Sequence, residues 1–125
     1  MLLKNEGDTE KLAKRLVKLS KKDNAVICLN GDLGSGKTTF TRYFIRNFFK
    51  SLEIKEIPSP TFTLLQVYEH EGHTINHYDF YRLKNSSELF ELNFSEAVTD
   101  DVCLIEWSDK FEEILPNDRI EINFQ

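Results

Sequence analysis

The sequence predicts an α/β sandwich with a mixed sheet, on three observations. Two short unbroken apolar runs, Ala25-Val26-Ile27-Cys28-Leu29 and Val102-Cys103-Leu104-Ile105, have the character of strands buried on both faces. Segments of helical period flank them, each with an apolar stripe. Between the two runs the period shortens to two, over Phe62 to Tyr68 and His73 to Tyr81 on either side of Glu71-Gly72, which reads as an antiparallel hairpin. Strands that need cover on both faces and helices that need to bury one stripe satisfy each other in layers.

Taken in order, the chain opens on a helix. Asp8 and Thr9 offer its cap, Glu10 complements the first turn, and Leu12, Ala13, Leu16, Val17 and Leu19 form the stripe. Lys11, Lys14, Arg15, Lys18, Lys21 and Lys22 fall on the wet side, first a solvated face and only second a patch for tRNA or an acidic partner. After the first apolar strand, glycines punctuate Gly31 to Gly36, and Phe40, Phe44 and Phe48 then recur every four residues in a second helix. Beyond the hairpin, Ser87 to Leu92 reads as a short helix ended by Asn93, which tolerates left-handed backbone. Asp101 to Ile105 is the second buried strand. Phe111 to Leu115 makes a helical turn stopped by Pro116, and Ile120 to Phe124 alternates as a last strand.

Length and composition narrow the class. The 125 residues suit a single domain, 1–125. With 40% hydrophobic and 30% charged residues the composition is globular, not disordered. Sixteen basic against twenty-one acidic residues leave a net charge of −5, which excludes the broad positive field of a protein that holds nucleic acid unaided. Cys28 and Cys103 lie inside apolar runs and read as buried thiols of a reducing compartment. No apolar stretch approaches the roughly eighteen residues of a membrane span. The N-terminal residues lack a signal-peptide pattern, so a cytoplasmic protein without membrane association is expected.

Gly31-Asp32-Leu33-Gly34-Ser35-Gly36-Lys37-Thr38 fits G-x-x-x-x-G-K-[ST] in full, after a buried strand and before a helix as that motif requires. The glycines let backbone N–H groups wrap a triphosphate, and the helix N-terminus adds partial positive charge. Lys37 reaches the β- and γ-phosphates and the Thr38 hydroxyl ligates Mg²⁺. The sandwich is therefore of the P-loop NTPase type, with three layers, and its ligand is a nucleotide with Mg²⁺.

Such a loop needs acids. Glu106 ends the second apolar strand, and Asp79 shares one face of the hairpin strand with His77 and Tyr81, while Tyr78 and Phe80 face the other way. Each acid competes with an ordinary surface-carboxylate role, and which holds Mg²⁺ and which orients water stays open. His70, His73 and His77 invite a zinc reading, but no cysteine is near and the first two flank a turn. Trp107 is a packing residue or a partner contact, and Thr9 is first a cap.

GDLGSGKTTF, SPTFTL (Ser59 to Leu64), HYDFYRL (His77 to Leu83) and LIEWSD (Leu104 to Asp109) resemble the bacterial TsaE family in order and spacing, and ELFELNF (Glu88 to Phe94) resembles its next helix. The resemblance implies an ATPase that works with the proteins TsaD and TsaB to form threonylcarbamoyl-adenosine next to the anticodon of certain tRNAs, meeting tRNA through that complex. It implies that Gly34, Ser35, Gly36, Lys37, Thr38 and Thr39 cradle the phosphates. Thr38 and Glu106 would hold Mg²⁺, Asp79 would serve hydrolysis or metal positioning, and Thr9 would accompany the nucleotide. Lys37, Asp79 and Glu106 are thus the expected catalytic residues. Ser59 to Thr63 takes the place of a switch loop sensing the γ-phosphate. Two departures stand out. Asn93 replaces a frequent Gly, and members usually continue past the strand that precedes Gln125, so adenine contacts from such a tail are expected to be missing or differently built.

Two other classes fit the P-loop. A small-molecule kinase would need an acceptor pocket and a lid of arginines, whereas Arg15, Arg42, Arg46, Arg82 and Arg119 are scattered along the sequence. A non-catalytic nucleotide-gated module is opposed only by the two acids.

Overall fold

The computed structural model describes residues 5–32, 36–50, 57, 60 and 63–124. The elements are α1 (Glu6–Lys22), β1 (Val26–Asn30), α2 (Lys37–Phe48), β2 (Leu65–His70), β3 (His73–Asp79), α3 (Ser87–Phe90), α4 (Phe94–Asp100), β4 (Val102–Glu106), a 3₁₀ segment Ser108–Ile114, and β5 (Ile120–Asn123). Five strands form one sheet in the order β2-β3-β4-β1-β5. β3, β4, β1 and β5 are parallel, and β2 returns antiparallel on β3, giving the expected mixed sheet.

Strand alternation divides the core in two. Ile27 and Leu29 of β1, Ile75 of β3, Val102 and Leu104 of β4 and Ile122 of β5 pack against α1 and α2. Val26, Cys28, Tyr78, Cys103 and Ile105 point the other way, onto Leu89 of α3, Phe94 and Ala97 of α4, and Leu115. The four-residue phenylalanine repeat of α2 stacks along the helix, with ring centroids 6.1 Å apart for Phe40–Phe44 and 5.9 Å for Phe44–Phe48. Burying each such ring contributes about 1.5–3 kcal/mol. Both cysteines are buried free thiols. No helix among the described residues is long and apolar enough to cross a membrane.

Several boundaries differ from expectation. The cap of α1 is Asn5, whose side chain accepts from the Asp8 N–H at 3.0 Å; Asp8 and Thr9 lie inside the helix. An equally good capping residue one turn earlier adds hydrogen bonds, so the longer helix wins. Leu19 is 46% exposed and Ser20 is buried in its place, because the buried positions continue the spacing of Leu12, Ala13, Leu16 and Val17. β2 begins at Leu65 because Leu64 has φ 68, outside any extended conformation. Phe62 lies outside the described residues. The hairpin turn is Glu71-Gly72, with φ 51 and 80, the paired positive values that a two-residue turn requires.

β3 stops at Asp79, so Tyr81 does not share its face; the Asp79 carboxylate captures the Tyr81 N–H at 2.9 Å and turns the chain. Asn93 is left-handed (φ 55) as expected, but it separates α3 from a further helix, α4, that periodicity did not reveal. With only Phe94 and Ala97 buried, α4 is too short to show a period. The 3₁₀ segment starts at Ser108, three residues before the expected turn, and kinks at Phe111.

Candidate functional site

Parallel pairing brings the C-terminal ends of four strands to one edge of the sheet. In register, Asp79 of β3 lies beside Glu106 of β4, and Glu106 beside Leu29 of β1. Asp79 and His77 share the parity of Ile75, and Glu106 that of Leu104, so these side chains belong to the face covered by α1 and α2. β1 leads through Gly31 toward α2, whose first residue is Lys37. The edge where the acids stand is thus the edge where α2 begins, the usual ligand crevice of such sheets.

Gly36 caps α2 with φ 107, a backbone conformation that favours glycine. Among the described residues no side-chain hydrogen bond caps the helix, and its first turn carries no acid. Lys37 is 96% buried, at 4% exposure; its Nζ donates to the Gly31 carbonyl and lies 3.5 Å from the centre of the Trp107 ring. Burial pushes this amine below its ordinary value, and the nearby Glu106, Asp79, Asp109 and Asp32 oppose that shift. Thr38 and Thr39 follow in the first turn of α2, both half-buried.

Both acids are buried, Asp79 at 2% exposure and Glu106 at 3%, so neither is a surface carboxylate. Beyond its bond to the Tyr81 N–H, Asp79 is fixed through its own N–H, which donates to Leu64 O at 3.0 Å. Glu106 Oε2 lies 2.6 Å from His77 Nε2, a bond between two buried side chains. A carboxylate has no proton to give, so Nε2–H donates. In the sequence His77 invites only the zinc reading, and its position two before Asp79 on the same strand face is the one signal for its place here. His70 and His73 pack on Phe49 and Phe48 beside the hairpin turn, far along β3 from His77, and the three form no cluster.

Trp107, left-handed at φ 59, donates its N–H to Leu29 O at 3.0 Å and packs on Tyr81 with ring centroids 5.0 Å apart. Asn30, also missed, ties the edge together. Its Oδ1 accepts from Ser108 Oγ at 2.6 Å and from the Asp109 N–H at 3.2 Å, and its carbonyl accepts from the Phe124 N–H at 2.8 Å. Phe124 in turn sits 3.6 Å from where a Cβ on Gly36 would lie. Only the strand-end position of Asn30, next to Gly31, could have flagged it.

Thr9 is buried on α1, its Oγ1 donating to Asn5 O at 3.2 Å. Gly34 and Ser35 lie outside the described residues, as do Ser59, Thr61 and Phe62 of the expected switch loop.

Residues 3–125 match the family model described as threonylcarbamoyl adenosine biosynthesis protein TsaE. The chain is 47% identical over 125 residues to the tRNA threonylcarbamoyladenosine biosynthesis protein TsaE of Rickettsia felis, an alignment covering 100% of this chain and 71% of that protein. To the protein of the same description in Haemophilus influenzae it is 41% identical over 115 residues, covering 91% of this chain and 71% of the relative. The crystal structure of YdiB from Bacillus subtilis is similar with a TM-score of 0.66 and 35% identity, covering 97% of this chain and 72% of that one.

Proposed function

Since the chain belongs to the TsaE family of tRNA threonylcarbamoyladenosine biosynthesis, we propose that it is a Mg²⁺-dependent ATPase, slow alone, whose turnover serves TsaD and TsaB in the cytoplasm. One observation carries this: a buried lysine opens α2 at the sheet edge where two buried acids, Asp79 and Glu106, stand side by side. Gly34, Ser35, Gly36, Thr38 and Thr39 offer N–H groups to the phosphates, and Lys37 exchanges the Gly31 carbonyl for their β- and γ-oxygens. Thr9 joins the nucleotide by giving up its bond to Asn5 O.

The Thr38 hydroxyl and the Glu106 carboxylate are hard oxygen donors, the kind Mg²⁺ takes, with phosphate oxygens and water completing its shell. That division suits a site where the described residues contain no group of three His, Cys, Asp or Glu able to hold a metal alone. When bound, the ion neutralises charge on the phosphates. Asp79 orients the attacking water.

The arginines are dispersed over α1, α2, the turn after β3 and the approach to β5. A cation from a partner therefore fits the transition-state charge better than one from this chain. With a net charge of −5 the chain reaches tRNA through the complex. The test mixes purified components and follows phosphate release and modified adenosine while each protein is omitted in turn. Turnover should rise when TsaD and TsaB are present. Repeated modification cycles running unchanged without this chain would overturn the assignment.

A further inference from the structure

His77 occupies a strand position that packing alone would fill with an apolar residue. Ile75, two residues earlier on the same face of β3, is fully buried, and His77 itself is 1% exposed. A buried imidazole costs desolvation unless its nitrogens are paired. Yet only Nε2 is paired, with Glu106, and Nδ1 has no hydrogen-bond partner among the described residues. The ring therefore persists for one bond. At 2.6 Å that bond is shorter than an ordinary N–H···O contact, in the direction that an ionised acceptor shortens and strengthens it.

Register explains its direction. His77 pairs with Leu104 and Asp79 with Glu106, so the ring reaches diagonally from one rung of the β3–β4 ladder to the acid on the next. Glu106 has a competing attraction. Of the acids around Lys37, Glu106 is the one whose charge the ammonium feels most. An unrestrained carboxylate would settle on that lysine and neutralise the charge that phosphate binding needs.

We infer that His77 is a positioning residue, holding Glu106 Oε2 so that Oε1 is presented to the Mg²⁺ of a bound nucleotide and Lys37 is left to the phosphates. This rests on the nucleotide reading proposed above and adds a residue to it. Outer hydrogen bonds of this kind orient metal ligands, and their loss weakens metal affinity by about 10- to 100-fold.

The experiment measures Mn²⁺ uptake by electron paramagnetic resonance with a non-hydrolysable ATP analogue at saturation. Analogue affinity is measured separately in EDTA, and each variant's melting temperature is recorded. His77→Phe keeps a ring and loses the donor; it should bind Mn²⁺ about 10-fold or more weakly, with analogue affinity in EDTA also below wild type because Glu106 then turns to Lys37. His77→Gln, whose amide nitrogen extends about as far as Nε2, should recover most of that loss. His77→Asn, which stops one bond short, should not, and it carries the same expectation should His77→Phe fail to fold. Wild-type Mn²⁺ affinity in His77→Phe or His77→Asn would overturn the inference, as would a His77→Gln no better than either. Failure of the wild-type chain to take up Mn²⁺ with the analogue would instead bring down the nucleotide reading, and this inference with it.

Discussion

The Lys37 ammonium lies against the face of Trp107, 3.5 Å from the ring centre, and donates to the Gly31 carbonyl at the same time. A desolvated cation–π contact is worth about 2 kcal/mol. The ammonium is therefore held by two neutral groups of the same chain, contacts that a bound triphosphate would replace on the nucleotide reading proposed above.

Lys37→Ala should weaken Mg-ATP binding about 100-fold, the worth of a charge-assisted contact of ~3 kcal/mol. Titration calorimetry measures it, and equal affinities would remove the P-loop assignment. The chain has a single tryptophan, so the emission of Trp107 reports departure of the ammonium from its ring. Emission should change as nucleotide saturates the wild type and stay flat in Lys37→Ala.

Glu106→Ala and Asp79→Ala should bind nucleotide better than they hydrolyse it, because both acids act on groups whose demands peak in the transition state. Single-turnover hydrolysis at saturating ATP should fall by about 100-fold. Wild-type rates in both would mean that neither acid takes part.

Gly36→Ala should cost about 1–3 kcal/mol of stability, read from urea unfolding. The cost lies in the backbone, since φ is 107, while the added Cβ meets Phe124 at an ordinary 3.6 Å. Gly72→Ala, at φ 80 with open space around it, should cost only the strain, about 1–2 kcal/mol.

Burial raises the Cys28 thiol from its ordinary 9.0 to about 11, and pushes Cys103 up as well. The unfolded chain thus ionises first. The stability these neutral thiols contribute is fully present below pH 9.0 and is lost as pH rises toward about 11. Cys28→Ala should flatten the fall in melting temperature over that window, and an unchanged slope would show that other groups set it.

What could be read from the sequence was what repeats or what is spaced by a motif. The buried strands, the phenylalanine helix and the hairpin each show a period, and Lys37, Thr38, Asp79 and Glu106 follow from the loop and from strand ends. Asn5, His77 and Asn30 did not, because their roles are hydrogen bonds to particular partners. His77 and Asn30 reach side chains 29 and 78 positions away, and no local pattern records such partners. Leu19 is apolar yet exposed and Ser20 polar yet buried, because helix geometry and not hydrophobicity decides which position faces the sheet. α4 escaped because about two turns, with two buried positions, cannot display a period.

The bonds around Asn30 have a bearing on biosynthesis. Its side chain and carbonyl engage Ser108, Asp109 and Phe124, and Phe124 backs Gly36. On the ribosome, the P-loop residues emerge well before any of these. Closing contacts across such sequence separations comes late in folding. The start of α2 would therefore be braced only after β5 has been translated, so on the nucleotide reading proposed above nascent chains should acquire affinity for nucleotide at the end of synthesis, not when the motif itself appears.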